Sequence, residues 1–385
     1  MLIIKLNPGK EKKIKNGYPW IFSDEIKSID GEKKVGEICN IFSNDYEFIG
    51  KGFYSNTNIA VRVITLKDEE INYELFKKKI EKAIKKRVDF NDSYRLIHGE
   101  ADGLPGLIAD KYNDFIVIQF RNVGMENYKK EILESIIELL KPSGIYERSD
   151  FETSTKEPIK RNIGVLYGIE PPEKLIIKEH EIKYYVDIKK GQKTGFFFDQ
   201  RDSRLFFRSL IKKDSLVLDG YTFTGGFAFN AALTGAKKVI ALDKDKESIE
   251  MARKNAELNN IKNIDFIETR YENYIKNYTG EKFDVIVLDP PSLIKKKQER
   301  RKGVEIFKSI TELSIDHLKT GGILGICSCA FQADISLLIE STRRAYFALG
   351  KDIQVVGLTF QSLDHPWIIQ IPESNYLKCL WFKIY

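Results

Sequence analysis

Two cysteines, Cys327 and Cys329, close an apolar run, Ile323-Leu324-Gly325-Ile326, that reads as a buried strand. A cysteine there is most often small core packing. At a strand end facing a cleft it can instead be a nucleophile. A free thiol has a pKa of about 8.5, so such a site must favour the thiolate or protonate the acceptor as attack proceeds. One acceptor that needs this help is cytosine, whose C5 is a poor nucleophile. Addition of a thiolate at C6 makes C5 enamine-like, able to take a methyl group from a sulfonium donor. Cys329 is nearer the strand tip and is the expected nucleophile. In a regular strand Cys327 faces the same way, which makes it the fallback. A second apolar run, Val285-Ile286-Val287-Leu288, ends in Asp289-Pro290-Pro291-Ser292. Its two prolines fix an extended turn that holds the Asp289 carboxylate and the neighbouring carbonyls in place. The plainer reading is an N-cap and a turn.

A third constellation lies at residues 214–245. Leu216 to Leu218 reads as a short buried strand ending at Asp219. Thr224, Gly225 and Gly226 form a permissive turn, Phe227 to Leu233 a buried helix, and Lys238 to Leu242 a second strand closed by Asp243. This is a βαβ unit with a glycine turn at its first junction, and a carboxylate at its second strand end can accept both hydroxyls of a ribose. The dinucleotide pattern G-x-G-x-x-G is absent, and no lysine follows Gly226 as a P-loop requires. A ligand with a ribose but no pyrophosphate fits, and S-adenosylmethionine is the common one. An ordinary strand–helix turn without ligand is the alternative.

These residues need a sheet to bring them together. From residue 214 onward, helices at 246–259, 270–277, 302–317 and 333–348 alternate with strands at 264–267, 283–288 and 322–327. Such alternation predicts a parallel sheet covered on both faces, with ligands at the carboxyl ends of its strands. Strands at 353–360 and 376–384 are expected to be antiparallel neighbours. Upstream, Gly191 to Arg201 is a glycine-bounded aromatic segment running into a helix, with Asp199 as the expected N-cap. Its rings could cover an adenine or a methionine chain, or it could be a hinge.

The remaining chain reads as two further modules. Strand-like runs at Leu2–Leu6, Val35–Phe42, Glu47–Tyr54 and Ile59–Thr65, separated by turn signals, predict a small β-barrel. Gly17-Tyr18-Pro19-Trp20-Ile21-Phe22 sets aromatics beside the lysines of Lys10 to Lys15, a mixture suited to RNA. Trp20 is expected in the barrel core, with RNA contact left to the lysines. A helix over 70–92, strands at 95–98, 106–110 and 115–120, a helix over 125–141, and strands at 144–148, 174–178 and 181–188 make an α+β module.

With 385 residues the chain exceeds one typical domain. No apolar run reaches a membrane span, and Met1 to Lys15 lacks the apolar core of a signal peptide, so a cytoplasmic protein is expected. The cysteines at 39, 327, 329 and 379 include no C-x-x-C pair, and the four histidines show no ligand spacing. Neither a bound metal nor a disulfide framework is expected. A formal charge of +6 is compatible with a polyanionic partner without requiring one.

Taken together, these motifs resemble the class I S-adenosylmethionine-dependent methyltransferases of 23S large-subunit ribosomal RNA that form 5-methylcytosine. The resemblance spans nearly the whole chain. Residues 17–22 are similar to the start of that family's PUA domain, and His98 to Leu107 to its central domain. Gly191 to Arg201 matches its linker motif, and Asp219 with Thr224 to Phe227 its cofactor motif. Asp289 to Ser292 matches its fourth motif, Ser328-Cys329 its sixth, and Asp364-His365-Pro366 with Tyr376-Leu377-Lys378 its C-terminal signature.

The resemblance implies a PUA-like β-barrel domain over 1–68, a central α+β domain over 69–190, and a Rossmann-like α/β methyltransferase domain with a mostly parallel seven-stranded sheet over 191–385. It implies catalytic roles for Cys329, adding to C6, and Asp289, at the base edge. It implies S-adenosylmethionine contacts from Phe198, Gln200, Arg201, Asp219, Tyr221, Thr224, Gly225, Gly226, Asp243, Lys244, Glu268, Asp289 and Pro290. The partner implied is 23S ribosomal RNA, and since the family includes dimers a homodimer is compatible with it. Two departures stand out. Arg270 occupies the place near the third strand end where the family often has an acid for the adenine amino group, leaving Glu268 as the available carboxylate. Ala330 follows the nucleophile where serine is common. Two rival readings remain: methylation of guanine or an exocyclic nitrogen without a covalent step, and an RNA-binding assembly factor with no catalysis.

Overall fold

The structure is a computed structural model that describes residues 2–90, 92–151, 159, 161–191, 194–294, 297–330 and 332–385. The chain divides into two compact units. The first holds 1–177, 186–198 and 363–374, the second 178–185, 199–362 and 375–385.

The first unit opens with β1 (Leu2–Leu6), α1 (Glu11–Lys15), β2 (Trp20–Phe22), β3 (Ile26–Asp30), β4 (Ile38–Phe42), β5 (Phe48–Tyr54) and β6 (Ile59–Thr65). The six strands form a half-barrel sheet in the order β2-β6-β5-β4-β1-β3, with β1 parallel to β4 and the other pairs antiparallel. Its core gathers Ile4, Leu6, Ile14, Ile21, Ile41 and Val61. In β2 the inward side chain is Ile21, so period-2 alternation turns Trp20 and Phe22 outward to half-buried positions. This corrects the expectation that Trp20 is core. Its indole Nε1 donates to Glu100 Oε1 at 3.0 Å, and its ring meets Tyr18 edge-on.

There follow α2 (Tyr73–Lys85), β7 (Ser93–His98), β8 (Leu107–Tyr112), β9 (Phe115–Phe120), α3 (Val123–Asn127), α4 (Lys129–Leu140), β10 (Gly144–Arg148) and β11 (Ile163–Gly168). The strands make a five-stranded sheet in the order β11-β10-β9-β8-β7. Helix α2 starts where Asn72 accepts from Leu75 N–H and ends earlier than its apolar period suggests. Beyond it the Arg87 side chain is buried, bound to both oxygens of Asp102 and to the carbonyls of Ala83 and Arg95. Strands β12 (Leu175–Glu179) and β13 (Ile182–Val186) form a hairpin.

The second unit contains α5 (Arg201–Leu210), β14 (Leu216–Asp219), α6 (Gly226–Leu233), β15 (Lys238–Asp243), α7 (Lys246–Leu258), β16 (Ile264–Glu268), α8 (Tyr271–Lys276), β17 (Phe283–Leu288), α9 (Arg300–Asp316), β18 (Leu318–Ser328), α10 (Ile335–Leu349), β19 (Ile353–Phe360) and β20 (Lys378–Ile384). Seven strands line up as β16-β15-β14-β17-β18-β20-β19, parallel through β18, with β20 antiparallel to both β18 and β19. The continuous apolar runs are those of strands buried on both faces. Leu218, Ile286, Leu288, Leu324 and Ile326 pack with Phe307, Ile310 and Leu337 of the covering helices. No helix among the described residues is long and apolar enough to cross a membrane.

Candidate active site

Strand β14 lies between β15 and β17, so the chain leaves it in one direction and returns on its other side. The crevice at such a reversal is where open α/β sheets bind ligands. Its walls are built by the loop after β14. Gly220 N–H donates to Val287 O at 2.9 Å, stitching the loop to β17, and Thr222 N–H donates to Leu242 O at 2.8 Å, stitching it to β15. Phe223 takes a positive φ of 51° and Gly225, the N-cap of α6, a φ of 98°. A Cβ on Gly225 would stand 2.3 Å from the Phe229 ring, so both conformation and space require glycine. A non-glycine residue held at positive φ, as Phe223 is, marks a turn kept in shape by its surroundings.

Three carboxylates stand at or just beyond the ends of these strands. Asp243 ends β15 half-buried, with Oδ2 accepting from Phe223 N–H at 2.9 Å and Oδ1 from Asp245 N–H at 3.0 Å. Each oxygen keeps a second lone pair, so the group is aimed and still able to accept from a vicinal diol. Asp219 is fully buried at the end of β14, its Oδ2 accepting from Ala228 N–H at 3.0 Å. Burial pushes its carboxyl up to about 7, and the charges of Asp289 and Asp243 push the same way. Thr222 comes near enough to favour the charged form, yet the contact falls short of a hydrogen bond: Asp219 Oδ1 and Thr222 Oγ1 are both buried without a partner among the described residues. Asp289 follows β17, half-buried, with Pro290 buried behind it. Clustered carboxylates with one orphaned oxygen are incomplete until a cation arrives. A donor carrying an ammonium, a sulfonium and a ribose diol fits this set.

Cys329 follows directly on β18, half-exposed and outside any disulfide. Strand β18 is the parallel neighbour of β17, with Leu288 beside Ile326, so the tips bearing Asp289 and Cys329 adjoin. Cys327 is different. It is fully buried opposite Cys379 of β20 and disulfide-bonded to it. The fallback nucleophile is thereby removed, and the expectation of no disulfide is corrected. Antiparallel register sets the two cysteines side by side, a pairing that sequence spacing does not display.

Residues 4–66 match the family model described as a PUA-like domain, and residues 211–369 the one described as a methyltransferase domain. Ribosomal RNA large subunit methyltransferase I of Enterobacter sp. (strain 638) is 36% identical over 386 residues, covering 97% of both chains. The protein of that name from Vibrio parahaemolyticus serotype O3:K6 is 36% identical over 387 residues, with the same coverage. This chain belongs to the ribosomal RNA large subunit methyltransferase I family. Among solved structures, a Streptococcus mutans chain described as a SAM-dependent methyltransferase superposes with a TM-score of 0.85 at 23% identity, covering 100% of both chains. A methyltransferase complexed with SAH gives 0.87 at 22%, again over both full lengths. At those identities the likeness is one of fold.

In this member of the large subunit methyltransferase I family, the second unit holds every proposed site residue except Phe198. That residue lies in the first unit, packed against Tyr112 and Phe196, each at 5.2 Å between ring centroids. Gln192 and Lys193 of the same motif lie outside the described residues. Asp199 is not the helix cap: a short 3-10 turn, Phe198–Gln200, precedes α5, and Asp199 Oδ2 instead accepts from the Tyr376 hydroxyl at 2.7 Å. Gln200 is buried, with Nε2 unpartnered among the described residues and Oε1 lying 3.6 Å from Cys379 Sγ. Arg201 approaches Glu179 at 3.4 Å, where Arg204 already binds both oxygens at 2.6 and 2.7 Å.

Tyr221 donates its hydroxyl to Glu272 Oε1 at 2.8 Å and lays its ring on Tyr271. Lys244 and Glu268 are exposed at the ends of β15 and β16, with Glu268 paired in register to Asp243. Arg270 is exposed at the N-cap position of α8. Thr222 and Phe223, which shape the turn after β14, were not singled out in the sequence. A non-glycine residue at positive φ leaves no compositional trace.

Proposed function

We propose that the chain methylates cytosine C5 in large-subunit ribosomal RNA, with Cys329 as nucleophile. Supporting this reading is the half-exposed thiol of Cys329, outside any disulfide, after the strand that neighbours the one ending at Asp289. In the proposed division of labour, residues 1–68 grip RNA, 69–190 orient it, and 191–385 carry the transfer.

Bound S-adenosylmethionine supplies an electrophilic methyl group held on a sulfonium. Asp243 receives the ribose hydroxyls, and Asp219 with the Thr224–Gly226 turn the methionine end. The Asp219 oxygen left unpartnered gains a cation there. The target base must first be unstacked. Asp289 then fixes the base edge, while the Cys329 thiolate forms a bond to C6 and the C5–C6 π pair shifts to C4–C5, with the C4–N3 pair taken up on N3 as N3 gains a proton. The C4–C5 pair then takes the methyl at C5. Removal of the C5 proton by a base restores the double bond, and the C6–sulfur bond breaks to regenerate the thiolate.

Nucleoside mass spectrometry of large-subunit ribosomal RNA, methylated by wild-type protein or by Cys329→Ala, tests the reading. The expected outcome is 5-methylcytidine with wild type and none with Cys329→Ala. A methylated guanosine or an exocyclic N-methyl product, or normal yield from the variant, would move the chemistry to Asp289 without a covalent step.

A further inference from the structure

We propose that Asn255 is a positioning residue for the methyl donor, tying the Thr224–Gly226 turn to the tip of the β12–β13 hairpin. The inference rests on the reading of that turn as the seat of the donor's methionine end. Residues 178–185, which form the hairpin tip, belong to the second unit together with the turn and α7. Two residues of β13 bond through their backbone to two asparagines at the end of α7. Lys183 N–H donates to Asn259 Oδ1 at 2.9 Å, and Asn259 Nδ2 donates back to Lys183 O at 2.7 Å. Tyr185 N–H donates to Asn255 Oδ1 at 2.7 Å. Side chains four apart stand one above the other on a helix, so the two carboxamides stand in for a neighbouring strand.

Asn255 differs from Asn259 in what its amide group does. It is fully buried, and its Nδ2 donates to Thr224 O at 3.3 Å. One carboxamide thus joins a carbonyl of the turn to an amide of the hairpin. That carbonyl belongs to the peptide entering Gly225, which sits at positive φ. Glycine permits several backbone conformations, and a bond to the preceding carbonyl selects one of them. The hairpin also reaches the far side of the turn. Glu179 holds the Arg204 guanidinium at 2.6 and 2.7 Å, and a Cβ on Gly226 would stand 3.2 Å from Arg204 Cδ. A hairpin outside the seven-stranded sheet therefore braces the turn at Thr224 and at Gly226. Asn255 acts through Thr224 and needs no contact with the donor.

The test is hydrogen–deuterium exchange of the full-length protein with and without S-adenosylmethionine, joined to donor affinity by calorimetry. Coupling between two sites is reciprocal. In wild type the donor is therefore expected to slow exchange in peptides covering 219–229 and also in those covering 182–186. Asn255→Asp keeps the acceptor for Tyr185 but sets a carboxylate oxygen against Thr224 O. It is expected to lose the slowing at 182–186 and to weaken donor binding about fivefold, raising KM for the donor rather than lowering kcat. Asn259→Ala cuts the hairpin from the helix without touching the turn, and is expected to bind the donor like wild type. Slowing confined to 219–229 in wild type overturns the proposal with no variant needed. Full affinity in Asn255→Asp, or an equal loss in Asn259→Ala, overturns it as well. No slowing at 219–229 removes the turn from the donor site, and the proposal falls with it. The methylated nucleoside found in RNA bears on the cytosine reading alone.

Discussion

Asp219 carries a conflict that a ligand would resolve. Its carboxyl sits near 7, against an ordinary value of about 3.9. Across the interval between those values the folded protein holds a proton that the unfolded chain has released. Stability of the ligand-free protein is therefore expected to fall as pH rises from about 4 to about 7, by on the order of 1.4 kcal/mol per pH unit, and to level off above. Asp219→Asn removes the titrating group, so urea unfolding across that window should lose this slope. Calorimetry should show the variant weakened at least tenfold toward S-adenosylmethionine, about 1.4 kcal/mol. A variant with the wild-type pH slope and full affinity would show that Asp219 is mere core. The residue types at the strand tips were readable in order: Asp219, Asp243, Asp289 and Cys329 were each singled out from an apolar run ending in a polar group. What could not be read was their pairing. Cys327 and Cys379 are far apart in the chain, and only the antiparallel return of β20 joins them.

Among the elements, the glycine turn offers the clearest contrast. Gly225→Ala must accept both a φ of 98° and a Cβ 2.3 Å from the Phe229 ring, whereas a Cβ on Gly226 keeps an ordinary φ and meets only the Arg204 side chain, at 3.2 Å. Gly225→Ala is expected to cost about 1–3 kcal/mol in unfolding free energy and to weaken donor binding, with Gly226→Ala the milder in both. Equal effects would mean that the turn is not held as described. Elements with strong periods and firm stops were legible, including every strand of the parallel sheet. Those missed were α1, β2, β3 and β11. β2 is three residues long, and β11 is an edge strand whose Ile163, Val165 and Tyr167 face solvent, so it lacks the inward apolar pattern of a buried strand. The helix expected over 125–141 divides at Tyr128, where ψ of 23° interrupts the helical backbone. Such a break is invisible to a hydrophobic period that continues through it.

At the scale of the whole molecule, the charge of +6 and the half-barrel's lysines are the features that bear on RNA. Lys12 is exposed on α1, and Lys15, also exposed, pairs with Glu47 at 2.7 Å. In full-length protein, Lys12→Ala with Lys15→Ala is expected to weaken binding to large-subunit ribosomal RNA and to flatten its salt dependence, by about one in slope for each phosphate that a lysine ceases to neutralise, leaving donor affinity unchanged. An unaltered slope would place the RNA grip elsewhere.

The covalent step underlies the rest, and a trapped adduct examines it directly. Large-subunit ribosomal RNA transcribed with 5-fluorocytidine carries fluorine where the C5 proton must leave, so an attacking sulfur cannot be released after methyl transfer. Incubated with S-adenosylmethionine and resolved under denaturing conditions, the wild-type protein is expected to run as an RNA-linked species whose peptide map places the nucleotide on Cys329, and Cys329→Ala is expected to give none. Active enzyme that methylates unmodified RNA yet forms no linked species, or a link mapped to any other residue, would contradict the account.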